Sequence, residues 1–99
     1  MTVRQNIGME TTMDLLDRAL ARQRQAAWAR QLNIDPSALA QAKKRNHLSP
    51  TLAGALAMEM GEDERKWLLI SALEGEPETP LLQRIKKATA TMVFGAAKS

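Results

Sequence analysis

The sequence predicts an all-α fold, and three observations carry that expectation. Alanine and leucine dominate a 99-residue chain with one Phe, no Tyr and no alternating run of β-branched residues. Apolar residues recur at three- and four-residue intervals over most of its length. Two cap-then-proline pairs, Asp35-Pro36 and Ser49-Pro50, mark helix starts at which the proline ring sacrifices no hydrogen bond.

Residues 1–10 show no usable period and read as a flexible N-terminal arm. Thr11 or Thr12 caps a first helix, with Asp14 near its positive end and Met13, Leu16 and Leu20 on one face beside Leu15 and Ala19. It ends near Gln23. A second helix covers about 25–32, with Ala26, Ala29 and Leu32 inward and Trp28 on the neighbouring stripe. Asn33 tolerates the left-handed conformation that ends a helix. The third helix starts at Pro36 and reaches about Arg45, with Ala38, Leu39 and Ala42 as apolar positions and Asn46 as its terminal cap. The fourth opens at Ser49-Pro50, turns Leu52, Ala55, Leu56 and Met60 inward, and stops at Gly61. Asp63 caps the fifth, whose face is Trp67, Leu68, Ile70, Ala72 and Leu73, ending at Gly75. Residues 11–75 therefore form one domain. Residues 76–80, with two prolines, read as a hinge. Residues 81–99 form a C-terminal helix and tail, with Leu81, Leu82, Ile85, Ala88, Thr89 and Met92 at helical spacing.

Composition narrows the chemistry. The chain has no cysteine and one histidine, His47, which removes thiol nucleophiles and thiolate zinc sites and makes a metal centre improbable. The acids Glu59, Glu62, Asp63 and Glu64 surround a helix break, where acids cap and solvate. Ser37, Ser49 and Ser71 have no evident base and read as a surface group, a cap and a helix-face residue. No enzyme activity, metal or cofactor is expected. The chain lacks a membrane span and a signal-peptide pattern, which fits a cytoplasmic protein. The net charge is +3 but unevenly spread. Arg18, Arg22, Arg24, Arg30, Lys43, Lys44 and Arg45 face one acid, Asp35, between residues 18 and 47. Seven acids then face Arg65 and Lys66 between residues 59 and 78. One cationic face is implied.

Residues 25–44 carry the functional signal. A helix-turn-helix needs two short helices crossing steeply so that the second can enter the ~12 Å major groove. That close crossing needs a small residue in the first helix, and Ala29 is there. A residue tolerant of positive φ must follow four positions later, as Asn33 does, and then a buried aliphatic, as Ile34 is. An anchoring aliphatic about five residues further on is Leu39, with the small Ala42 after it.

On Gln25-Ala26-Ala27-Trp28-Ala29-Arg30-Gln31-Leu32-Asn33-Ile34 and Asp35-Pro36-Ser37-Ala38-Leu39-Ala40-Gln41, the chain resembles the lambda-repressor-like (XRE) family of helix-turn-helix DNA-binding domains. The resemblance covers about 12–75. It extends through the basic stretch 43–46 and the loop 48–50 to the Ala- and Leu-rich helix at 52–61. It looks closest to small regulators of bacteriophages and prophages. Asn33 and Asn46 stand where the family commonly has glycine, and the third helix is poor in long polar side chains.

The resemblance implies a five-helix DNA-binding domain and divides the side chains by role. Ser37, Gln41 and Lys44 face the groove as base readers, Gln41 toward adenine and Lys44 toward guanine, with Pro36 and Ala40 against thymine methyls. Arg24, Gln25, Lys43, Arg45, His47 and Thr51 contact phosphates. The expected protein is a non-enzymatic, sequence-specific repressor of double-stranded DNA, working at the nucleoid of a bacterial host cell. It pairs as a homodimer on a palindromic operator, with no membrane or small-molecule partner. Residues 81–99 pack on the domain, dimerise or lie on a membrane surface, dimerisation being favoured; Trp67 is a core residue or part of a dimer seam. The rival reading is an adaptor or phage-encoded inhibitor that binds another protein through the same fold. A small hydrolase is a distant third, for want of a nucleophile and base.

Overall fold

Helix boundaries follow the chain's own capping chemistry. The computed structural model describes residues 10–94, with side chains through Thr89, and among them finds six α-helices and no strand. These are α1 (Thr12–Arg22), α2 (Gln25–Leu32), α3 (Pro36–Arg45), α4 (Pro50–Glu59), α5 (Glu64–Glu74) and α6 (Pro80–Phe94). The expected arm, Glu10 apart, and the tail at 95–99 lie outside the described residues. No helix among them is long and apolar enough to cross a membrane.

Thr11 opens α1 with a reciprocal box. Its hydroxyl accepts from the Asp14 N–H at 3.3 Å, and its own N–H donates to Asp14 Oδ2 at 2.8 Å. Asp35, Ser49 and Asp63 cap α3, α4 and α5 by accepting from Ser37, Leu52 and Arg65 amides. Thr79 accepts from the Leu82 N–H at 3.0 Å, so α6 begins at Pro80 and the connecting segment is one residue shorter than expected. Three helices end on a residue of positive φ: Asn33 at 59°, Asn46 at 62° and Gly61 at 76°. After each, the next amide reaches back to close the last turn, Ile34 to Ala29 O (2.9 Å), His47 to Ala42 O (3.0 Å) and Glu62 to Ala57 O (2.8 Å).

The core gathers Leu15, Leu16 and Ala19 of α1, Trp28 of α2, Leu39 and Ala42 of α3, Leu48, and the inner faces of α4 and α5. The most extensive packing is between α4 and α5, which meet across small residues. A Cβ on Gly54 would stand only 3.1 Å from Leu68, so the glycine lets that side chain lie against α4. Several expected inward positions are corrected. Ala26 is exposed on α2, where Trp28 and Ala29 carry the contact. Ala53, Gly54 and Ala57 are buried on α4 whereas Leu52 and Ala55 are half-buried, because α5 lies over the small residues. Leu68 and Ala72 are exposed on α5, and Ser71 is buried in their place.

Trp67 is fully buried, which removes it from any dimer seam. Its indole N–H donates to Glu62 Oε1 at 3.0 Å, and Glu62 receives Arg18 Nη2 at 2.7 Å on both oxygens. Arg18 and Lys66 stand 5.6 and 5.2 Å from the Trp67 ring centroid. Burial alone would raise the Glu62 pKa, but hydrogen bonds from Arg18 and Trp67 and their neighbouring charges outweigh it and lower it.

Two outcomes follow for stability. Asn33→Ala is expected to lose about 1–2 kcal/mol by forcing a Cβ without local hydrogen bonding into the left-handed region, while Asn33→Gly holds or gains; urea titration reads both. Folded Glu62 binds its proton more weakly than the unfolded chain. Its contribution is therefore present above the usual carboxylate range and lost as pH falls through the depressed value. Glu62→Gln should melt below wild type at pH 7, and the gap should close below about pH 4. A gap that widens in acid contradicts this.

Candidate nucleic-acid interface

The candidate surface is the outer side of α3, a rod of ten residues and so ~15 Å long. Leu39 and Ala42 are its buried positions; Pro36, Ser37, Ala40, Gln41, Lys43, Lys44 and Arg45 are exposed. Pro36, Ala40 and Lys44 fall four residues apart, with Ser37 and Gln41 beside them, so all five expected base readers occupy one open strip. No other part of the described chain covers it.

Each end of α3 is fixed differently. At the start, the Asp35 carboxylate accepts from the Ser37 amide (2.9 Å) and hydroxyl (2.8 Å), and these two bonds, the amide first, lower its pKa. Gln25, half-buried at the start of α2, donates from Nε2 to Pro36 O at 3.4 Å. That bond joins the N-termini of α2 and α3 and sets Arg24, exposed, beside the start of the strip. Ala29, buried, lies where α2 passes α3, and a shallow cleft of about 290 Å³ opens there between Ala29, Arg30, Asn33, Ile34 and Pro36.

At the other end, Leu48 is a fully buried loop residue, so both its backbone polar groups need protein partners. Its N–H donates to Thr12 Oγ1 at 3.0 Å, and its carbonyl accepts from Ser71 Oγ at 2.5 Å. Thr12 in turn donates its hydroxyl (2.5 Å) and its N–H (2.8 Å) to Glu74. His47 Nδ1 lies 2.6 Å from Glu74 Oε1. A carboxylate only accepts, so the imidazole is held as the Nδ1–H donor. Sequence reasoning missed this cluster. Its partners lie 23 to 62 residues apart, and nothing local distinguishes Thr12 from Thr11.

The expected phosphate contacts are placed unequally. Arg24, Lys43, Arg45 and Thr51 are exposed around α3 and the start of α4. Gln25 and His47 are half-buried and already engaged with Pro36 and Glu74, so they serve first to position α3. Among the described residues, Arg22, Arg24, Arg30, Lys43, Lys44 and Arg45 form no ion pair, whereas Arg18, Lys66 and Lys86 are paired with Glu62, Glu10 and Glu78. No group of three or more acidic, histidine or cysteine side chains among the described residues could hold a metal ion.

No family model, curated protein or solved structure matches the chain.

Thr12→Val keeps the side-chain shape but leaves the buried Leu48 N–H without an acceptor. It should cost about 1–3 kcal/mol in chemical denaturation, most of it restored in Thr12→Ser. An unchanged midpoint for the valine variant would show that Leu48 finds another partner.

Proposed function

We propose that α2, the Asn33 turn and α3 are a helix-turn-helix of the lambda-repressor-like type. On this reading the protein is a sequence-specific, non-enzymatic regulator that binds double-stranded DNA in the bacterial cytoplasm, as small phage and prophage repressors do. The observation that carries the reading is the coincidence on α3 of an uncovered side with a fringe of unpaired cations. A helix ~10–12 Å across matches the ~12 Å major groove, and Asn33 and Asn46 both stand where the family has glycine, in the left-handed conformation such turns need.

In this mode Gln41 and Lys44 reach base edges, and Pro36, Ser37 and Ala40 let the backbone approach closely. Arg24, Lys43 and Arg45 neutralise phosphates on either side. Two copies related by a two-fold axis would read half-sites ~34 Å apart, a spacing compatible with a molecule of 38 × 29 × 26 Å.

Duplexes selected from a random pool, followed by fluorescence anisotropy across salt concentrations, test this. With three phosphate-neutralising cations per copy, the log–log salt slope should be roughly −3 for one half-site, and Lys43→Ala should reduce its magnitude by about 0.9 on every sequence. Gln41→Ala should cost about 1–3 kcal/mol on the selected sequence and little elsewhere. A flat salt response with no enriched sequence overturns the proposal in favour of a protein-binding adaptor.

A further inference from the structure

The open strip on α3 begins with two side chains whose hydrogen-bonding polarity is already fixed. A serine hydroxyl has one proton to give and two lone pairs to share, and it ordinarily rotates to suit its neighbour. At Ser37 the proton is committed. Oγ donates to Asp35 Oδ1 at 2.8 Å, and the Ser37 amide reaches the same oxygen at 2.9 Å. Those bonds, the amide first, hold the Asp35 carboxyl below its usual range, so it carries its charge at neutral pH. Both residues are exposed, and Asp35 has no ion pair among the described residues. Pro36 and Ala40 offer no polar side-chain atom, which leaves the Asp35–Ser37 pair as the polar chemistry of this end of the strip.

We infer that Asp35 makes Ser37 an acceptor-only reader, one that selects the exocyclic amino group of adenine or cytosine in the major groove over an acceptor at the same place. The inference rests on the helix-turn-helix reading of α3 given above. Those amino groups are the hydrogen-bond donors of the major groove; guanine N7 and O6, adenine N7 and thymine O4 all accept. To meet an acceptor, Ser37 would have to turn its proton away from the carboxylate. That exchanges a charge-assisted bond for a neutral one of roughly half the strength. It would also leave the Asp35 charge beside an electron-rich base edge. An amino group meets neither cost, because it donates to the free lone pairs of Ser37 and is attracted by the carboxylate.

The rest of α3 gives this polarity a direction. Gln41 carries both a donor and an acceptor, whereas Lys44 only donates. Along the strip the order is therefore acceptor at 37, two-way group at 41 and donor at 44. The first turn answers an amino base and the last turn an acceptor base.

Base analogues in the selected duplex separate the two polarities, with anisotropy of the full chain as the readout. Ser37→Ala marks the contacted base pair as the one whose preference flattens. There the amino group is removed by placing purine for adenine, or 2-pyrimidinone for cytosine. Wild type should weaken about tenfold more than Ser37→Ala, as one hydrogen-bonded base contact implies. Any cost of weakened base pairing falls on both proteins and cancels. A 7-deaza purine at the same pair removes an acceptor instead, and should leave wild type within about twofold. Asp35→Ser keeps a capping oxygen for the Ser37 amide but removes the charge, so it should melt near wild type. It should also bind every sequence more tightly and lose the amino preference, a combination that a purely structural cap would not produce. Three results overturn the inference and leave the regulator standing: no position flattened by Ser37→Ala, an equal response of both proteins to the missing amino group, or a wild type weakened by the 7-deaza purine. If no duplex is enriched at all, the regulator and this inference fall together.

Discussion

The position of α3 depends on how one buried loop residue keeps its backbone satisfied. Leu48 fills the core between α3 and α4, and an unpaired amide or carbonyl there would cost about as much as a core cavity. Thr12 and Ser71 meet the two groups, and they come from the first turn of α1 and the last turn of α5. Three remote segments are thereby locked at one point, three residues after α3 ends. This matters because α3 buries so little itself. Leu39 and Ala42 hold it against the core, but one leucine and one alanine do not define a direction. Its direction is set by its ends, through the Asp35 cap and the Gln25 bond at one and the Asn46 turn and Leu48 anchor at the other.

Charge is sorted by the same packing. Exposed ion pairs contribute little to stability, so Arg18–Glu62, Lys66–Glu10 and Lys86–Glu78 are weak reasons for the fold to hold. Their effect on the field is larger. They neutralise acids where α1 meets the α4–α5 turn and at the start of α6, while the cations of α2 and α3 keep their charge unopposed. A modest net charge of +3 thus includes a run of unpaired cations along α2 and α3. Asp35, the acid at the start of the strip, has its charge already shared between an amide and a hydroxyl.

Local chemistry was legible in the sequence and long-range chemistry was not. The boundaries of α2 and α3 could be read because each signal sits within four residues of its effect: Pro36 after Asp35, Asn33 after Leu32, Asn46 after Arg45. On α4 and α5 hydrophobicity correctly marks Leu56, Met60, Trp67, Ile70 and Leu73 as buried but misplaces Leu52, Ala55, Leu68 and Ala72. In α4 the contact is made by Ala53, Gly54 and Ala57, whose small size permits close approach, while the larger Met58 is left outside. Ser71 reads from the sequence only as a helix-face residue because its partner, the Leu48 carbonyl, is recognisable only once α3 and α4 are in place. His47 was assigned to a phosphate for the same reason: Glu74, its partner, lies 27 residues away. For the candidate site, which side of α3 is exposed was readable from periodicity, but which cations stay unpaired was not.

The sparse polarity of α3 bears on how such a surface would discriminate among DNA sequences. On the proposed reading, two long base readers, Gln41 and Lys44, would each supply about 1–3 kcal/mol of discrimination, together roughly 30- to 20,000-fold. A genome offers about 10⁶–10⁹ competing sites, so one copy is insufficient on that count. Using the same two contacts twice squares the ratio, provided both copies engage together. A DNA carrying two half-sites would itself supply the high local concentration that brings two copies together. The same sequence feature, small residues where larger ones are usual, would then account for both the close approach of α3 and the dependence on a second copy.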